Sequence, residues 1–287
     1  MKWRSALAGE RERYLRQQAE LGGREVILGQ PNVLPESASA AARFEGAVAG
    51  PAATIQPGEN EVGTKGRTPG ATDEGKWRKG APKIPGPGIA VESPVLPLVG
   101  EPLAGLDSLE KVAKRIRSTY CCDLCPQRTN AVPGEGNPKA DLVLIGEGPG
   151  ATEDETGRPF VGAAGRLLED ILGAVGLKRE DVFICNVVKC RPPQNRKPLP
   201  DEIAACIPYL HRQLALIRPK VILTLGGTAA EALLGVKQSL GKLRGQVHTY
   251  DGIPLIATYH PAALLRNPDW KKPTWDDVRI ARQLLER

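Results

Sequence analysis

The chain has 287 residues, 41% of them apolar and 25% charged, which is ordinary for a soluble globular protein. No apolar run reaches the roughly 18 residues of a membrane span, and the charged start MKWRSALAGERERYLRQQAE has no room for the apolar stretch of a secretory signal. Before residue 108 the chain carries 13 Lys and Arg against 13 Asp and Glu; from 108 onward it carries 26 against 20, so the whole excess of +6 sits there and fits either a polyanionic partner or a solubilising surface.

In chain order, residues 1–30 form a charged N-terminal segment in which Ser5 to Leu21 reads as a short helix, on the weak spacing of Leu7, Leu15 and Leu21. Residues 31–105 then hold 11 Pro and 12 Gly, with Phe44 and Trp77 as their only aromatics. That composition buries too little apolar surface to offset the ordering of a backbone, so 31–107 is expected to be a long disordered linker. The folded domain is expected to occupy 108–287.

Its first element is a helix over 108–118, with Leu109, Val112 and Ile116 on one face. Four short apolar runs follow, each bounded by turn residues: Leu142–Ile145, Val182–Val188, Val221–Leu225 and Leu255–Ala257. Runs of this kind suit strands buried on both faces. Helical patterns separate them at Ala163–Val175, Asp201–Ile217 and Thr228–Leu234, and a last helix runs from about Trp275 to Leu285. The alternation predicts an α/β fold: a three-layer α/β/α sandwich on a four-stranded parallel sheet, preceded by the long N-terminal extension.

Ligands of such sheets bind beyond the carboxyl ends of the strands. Those ends carry Gly146-Glu147-Gly148-Pro149-Gly150, then Asn186, Lys189 and Cys190, then Gly226-Gly227-Thr228, then Tyr259-His260-Pro261. One carboxylate, one amide and one imidazole therefore meet on one rim. The loop Gly146–Phe160 is glycine-rich but lacks the lysine of a phosphate-binding loop and carries Glu147, Glu153, Asp154 and Glu155, which would repel a phosphate. It suits closure over an uncharged planar ligand with Phe160 stacked on it, or else a tight turn with an acidic cap. Cys122 and Cys125 form one short pair, and Cys190 and Cys206 lie far along the chain; four such thiolates suit zinc or an iron–sulfur cluster, and spacing does not choose between them. Cys185 reads as core and Cys121 as a spare neighbour of the pair. His211 reads as structural or exposed, and so does His248, in a hairpin. Arg191, Arg196 and Lys197, with Arg244, Arg266, Lys271 and Lys272, either follow a phosphate backbone or are solvated surface.

Three stretches, GEGPGATEDETGRPFVGAAGRLL, NVVKCRPPQNR and TYHPAALLRNP, in this order and with four matched cysteines, resemble the family-4 uracil-DNA glycosylases over about residues 115–287. The resemblance implies a DNA-repair enzyme that flips uracil out of DNA, hydrolyses its N-glycosidic bond and leaves an abasic site. It implies a [4Fe–4S] cluster on Cys122, Cys125, Cys190 and Cys206. It also implies that Phe160 stacks on the flipped base, that Asn186 reads its polar edge, and that His260 sits beside uracil O2 while Glu147 positions or activates water. Gly148 occupies the place of an aspartate in a distant family, so a dedicated carboxylate base is missing there. Leu264 or Leu265 would wedge into the duplex and Arg266 would contact phosphate. The expected partner is uracil-containing DNA, single- or double-stranded, and no membrane. The expected state is a monomer in the cytoplasm, associated with the nucleoid, with a repair or replication partner taken through the N-terminal extension. The competing readings are a non-catalytic or polymerase-associated nucleic-acid module of the same superfamily, and an iron–sulfur redox sensor.

Overall fold

The computed structural model describes residues 75–92, 103 and 105–287 of the chain. The expected helix from Ser5 to Leu21 and most of the expected linker lie outside these residues. The strands are β1 (Pro87–Val91), β2 (Glu135–Gly136), β3 (Leu142–Gly146), β4 (Phe183–Asn186), β5 (Val221–Leu225), β6 (Val247–Tyr250) and β7 (Ile253–Thr258). The helices are α1 (Leu109–Ser118), α2 (Ala151–Thr156), α3 (Ala163–Ala174), α4 (Pro200–Ile217), α5 (Gly227–Leu234), α6 (Leu240–Leu243), α7 (Pro261–Arg266) and α8 (Lys271–Leu284).

The sheet has seven strands, not four, in the order β1-β6-β7-β5-β3-β4-β2. The expected parallel sheet is its centre, where β7, β5, β3 and β4 run parallel. Every residue of β3, β4 and β5 is buried, because helices cover both faces. Val143, Ile145, Cys185 and Ile222 face the layer that holds Val112 and Ile116 of α1, Leu210 and Leu214 of α4, and Leu233 of α5. Leu144, Ile184, Leu223 and Ile256 face Leu168 and Leu172 of α3 and Val278 and Ala281 of α8.

The three extra strands lie at the edges. β6 turns back antiparallel on β7, which places His248 in a hairpin, and β2 adds two residues antiparallel to β4. β1 corrects the expected domain boundary. It lies within the span expected to be disordered, yet it pairs parallel with β6. Its position is fixed by His248, whose Nδ1 accepts from Ile89 N–H at 3.0 Å while Nε2 meets the Leu243 carbonyl at 2.7 Å. Trp77, just upstream, is buried against α8. One large ring and a sheet edge thus order a stretch that its Pro and Gly content alone would leave open. No helix among the described residues is long and apolar enough to cross a membrane.

Candidate active site

Within the parallel centre the chain starts at β3, then moves to one side for β4 and to the other for β5 and β7. That reversal opens a crevice outside the carboxyl ends of these strands. Gly146 pairs with Asn186 at the ends of β3 and β4, and Leu225 pairs with Thr258 at the ends of β5 and β7.

Asn186 is 1% exposed, and its Oδ1 has no hydrogen-bond partner among the described residues. A buried acceptor left unpaired costs about 1–3 kcal/mol, so it marks a place where a ligand is expected to donate. The space beside it belongs to Gly146: a Cβ there would lie 2.4 Å from Asn186 Oδ1 and 2.7 Å from Phe160 Cζ. Phe160 is buried and adopts a left-handed backbone, φ 51°. Its ring centre stands 5.4 Å from that of His260. The amide, the benzyl ring and the imidazole therefore lie side by side, with Phe160 between Asn186 and His260.

Several neighbours hold Phe160 in its unfavourable conformation. Arg179 donates to the Phe160 carbonyl at 3.0 Å and to the Pro159 carbonyl, while pairing with Glu135 at 2.6 Å. Glu153 Oε1 accepts from both Val161 N–H and Gly162 N–H at 2.9 Å. Gly165 lets α3 approach so closely that a Cβ would meet the Phe160 carbonyl at 1.9 Å. Asp154, also buried, accepts from the Thr129 N–H at 3.0 Å and so ties α2 to the cysteine loop. Two of the acidic residues that would repel phosphate are thus anchors of the loop itself. Sequence reading missed Arg179 altogether, since a cation in a surface turn carries no local signal.

His260 caps α7, its Nδ1 accepting the Ala262 N–H at 3.1 Å. The proton of the neutral ring is therefore on Nε2. Burial, with Arg266 adding to it, lowers the pKa of His260 to about 4, and Glu153 opposes the shift. Gly226 lies against His260, and two residues later Thr228 donates to Glu147 Oε2 at 2.5 Å. Glu147 thereby joins the same rim. At Gly148 a Cβ would lie 2.8 Å from Val188 Cγ2, so a larger side chain has no room there.

The outer residues divide. Leu264 is 1% exposed and packs inward, so it is removed from the expected DNA contacts; the next helical position turns Leu265 outward, 51% exposed beside exposed Arg266. Arg196 is held by Glu202, Lys197 by Glu231, Arg191 by Asn195 and Arg244 by Asp277.

The thiols gather behind this rim. The sulfurs of Cys121, Cys122 and Cys125 lie within 4.8 Å of one another, and Cys190 Sγ is 3.6 Å from Cys125 Sγ. Cys206 Sγ accepts the Lys189 N–H at 3.2 Å, and Arg128 donates to Cys190 Sγ at 3.1 Å. Cys190 is pushed above its ordinary pKa, first by its bond to Cys125 and then by burial. A set of crowded thiols with N–H donors aimed at their sulfurs is compatible with an iron–sulfur cluster. Cys121 belongs to this group and is not merely a spare neighbour, whereas Cys185 is core, as expected.

The model of the uracil DNA glycosylase superfamily matches residues 133–281. The chain belongs to that superfamily. Within the superfamily it is 47% identical to a type-4 uracil-DNA glycosylase of Sulfurisphaera tokodaii, across 62% of this chain and 86% of that one. It is 48% identical to a type-4 enzyme of Saccharolobus solfataricus, across 63% and 88%. A type-5 uracil-DNA glycosylase of Thermus thermophilus is more distant, at 36% across 47% and 70%. This member of the uracil-DNA glycosylase superfamily thus carries its buried amide, its benzyl wall and its capped histidine inside the matched region.

Proposed function

We propose that the protein is a DNA-repair glycosylase that hydrolyses the N-glycosidic bond of uracil in DNA, and that Glu147, Gly148, Phe160, Asn186 and His260 form its site. The observation that carries this reading is the unpaired, buried Oδ1 of Asn186 beside the Phe160 ring. Uracil must first leave the base stack, at a cost of a few kcal/mol. Once in the pocket it stacks on Phe160, its N3–H donates to Asn186 Oδ1, and its O4 accepts from the Asn186 amide. Cytosine presents the reverse pattern on this edge and leaves both partners unsatisfied.

The bond between C1′ and N1 then breaks, and its electron pair moves to the uracil ring as positive charge develops on the sugar. The Nε2–H of His260 donates to uracil O2 and stabilises that anion without first giving up its proton, because the ring is neutral and Nδ1 is occupied. Water adds to C1′ and loses a proton to Glu147 or to solvent, which leaves free uracil and an abasic site. Leu265 fills the gap in the DNA and Arg266 contacts phosphate. Cys122, Cys125, Cys190 and Cys206 would hold a [4Fe–4S] cluster, which would cross-link the Cys122 loop, the Cys190 loop and α4. The enzyme acts as a monomer in the cytoplasm near the nucleoid; residues 108–287, together with the 75–92 segment that carries Trp77 and β1, form its catalytic domain, and the residues before 75 are available to a repair or replication partner.

An oligonucleotide with one uracil, incubated with the protein and then with alkali, is expected to break at that position and to release free uracil. An intact strand would instead favour a non-catalytic nucleic-acid module.

A further inference from the structure

Beside the pocket stands a stack that the excision chemistry leaves unused. Tyr259, the residue before His260, lies with its ring centre 4.6 Å from that of Trp270, the two planes 11° apart. The Arg244 guanidinium stands 4.4 Å from the same Tyr259 ring. Two groups this close to one ring occupy opposite faces, so the order is Arg244, Tyr259, Trp270. The inner end is fixed: Arg244 donates to Asp277 Oδ2 at 2.7 Å and to the Pro273 carbonyl at 2.8 Å, and Asp277 also accepts the Thr258 hydroxyl at 2.7 Å. The backbone of Trp270 is fixed as well, its carbonyl accepting the Thr274 hydroxyl at 2.7 Å. The outer end is open, with Trp270 37% exposed. Around it Leu265, Arg266, Lys271 and Lys272 are exposed, and none of the three cations makes an ion pair among the described residues.

We propose that Trp270 is a stacking platform for an unpaired nucleobase of the DNA strand that delivers uracil to His260. This deepens the uracil-excision reading and rests on it. An indole backed by Tyr259 and more than a third exposed gains a base at little conformational cost, and stacking accepts any base. Arg266, Lys271 and Lys272 supply the charge that tracks the sugar–phosphate chain. In a duplex each base is already stacked between neighbours and offers no free face. The platform therefore selects single-stranded DNA.

The test compares the full-length wild type with Trp270→Ala and Trp270→Phe on a uracil-containing 20-mer, single-stranded and in duplex. Trp270→Ala is expected to raise KM on the single strand by about fivefold or more, with kcat unchanged. On duplex the KM changes by less than about twofold, and Trp270→Phe, which keeps an aromatic face, stays near wild type on both. An unchanged single-strand KM in Trp270→Ala, or an equal rise on both substrates, overturns the platform. A second readout needs no excision: uracil-free oligothymidylate should quench tryptophan emission in the wild type more than in Trp270→Phe, and equal quenching overturns the proposal. A wild type that quenches but never excises uracil would refute the enzymatic reading and leave the platform standing.

Discussion

At the residue scale the account turns on side chains whose ordinary partners are missing or fixed. Asn186 was legible in the sequence because it is the polar residue near the carboxyl end of the apolar run Val182–Val188, where the strand reaches the rim. Its unpaired Oδ1 was not legible, since only packing shows that Gly146 and Phe160 leave it no protein donor. Asn186→Asp removes the donor to O4 and sets a carboxylate against that carbonyl; kcat/KM for uracil should fall by about 10²-fold or more, as measured by alkaline strand scission. His260 and His211 carry a second prediction. Burial lowers both from 6.5 to about 4. Between pH 6.5 and 4 the unfolded chain therefore binds protons that the folded chain refuses, so stability drops as pH falls through this window and levels off below it. Thermal melts should show that slope, and His211→Gln combined with His260→Gln should flatten it; an undiminished slope would assign it to other groups.

At the element scale, the parallel strands and the long helices were readable from periodicity, and their observed ends differ from the expected ones by a few residues. The edge strands were not, apart from the hairpin read at His248. β6 is four residues of alternating burial, β2 is two residues, and β1 lies in a segment whose composition argues for disorder. What orders β1 is tertiary: the His248 bridge and the burial of Trp77. Arg78 and Arg282 flank that indole at 4.8 and 5.2 Å. Trp77→Ala empties a site in the layer shared with α8 and should lower stability by about 3–5 kcal/mol in urea titration. A loss within about 0.5 kcal/mol, the range of ordinary surface substitutions, would mean that residues 75–92 do not belong to the folded unit.

At the scale of the whole molecule, the cysteines join segments that the sheet alone leaves loosely connected. The loop after α1, the loop after β4 and the middle of α4 meet at the thiols, beside the hydrogen bonds from the Val132 N–H to the Lys189 carbonyl and from the Tyr209 hydroxyl to Thr119, with Asp154 as a separate tie to α2. The sequence showed which cysteines were available but not that Cys121 would stand among them, because adjacency in the chain does not say which way a side chain turns. Cys190→Ser should remove iron and the absorption near 400 nm and lower the melting temperature; retained iron would exclude Cys190 from the ligand set. The positive charge of the C-terminal part was legible too, yet Arg196, Lys197 and Arg244 are tied in ion pairs, which leaves Arg191 and, after His260, Arg266, Lys271 and Lys272 without an acidic partner among the described residues.

The most direct test concerns the ring that the proposed site would read. Free uracil and 3-methyluracil differ only at N3, where the methyl group replaces the hydrogen that Asn186 Oδ1 is held to accept. Inhibition of uracil excision by each, at matched concentrations, reads how closely the site holds the N3 edge. Uracil is expected to inhibit and 3-methyluracil to be at least about tenfold weaker. Equal inhibition by the two would contradict the assignment of Asn186 and, with it, the reading of the site.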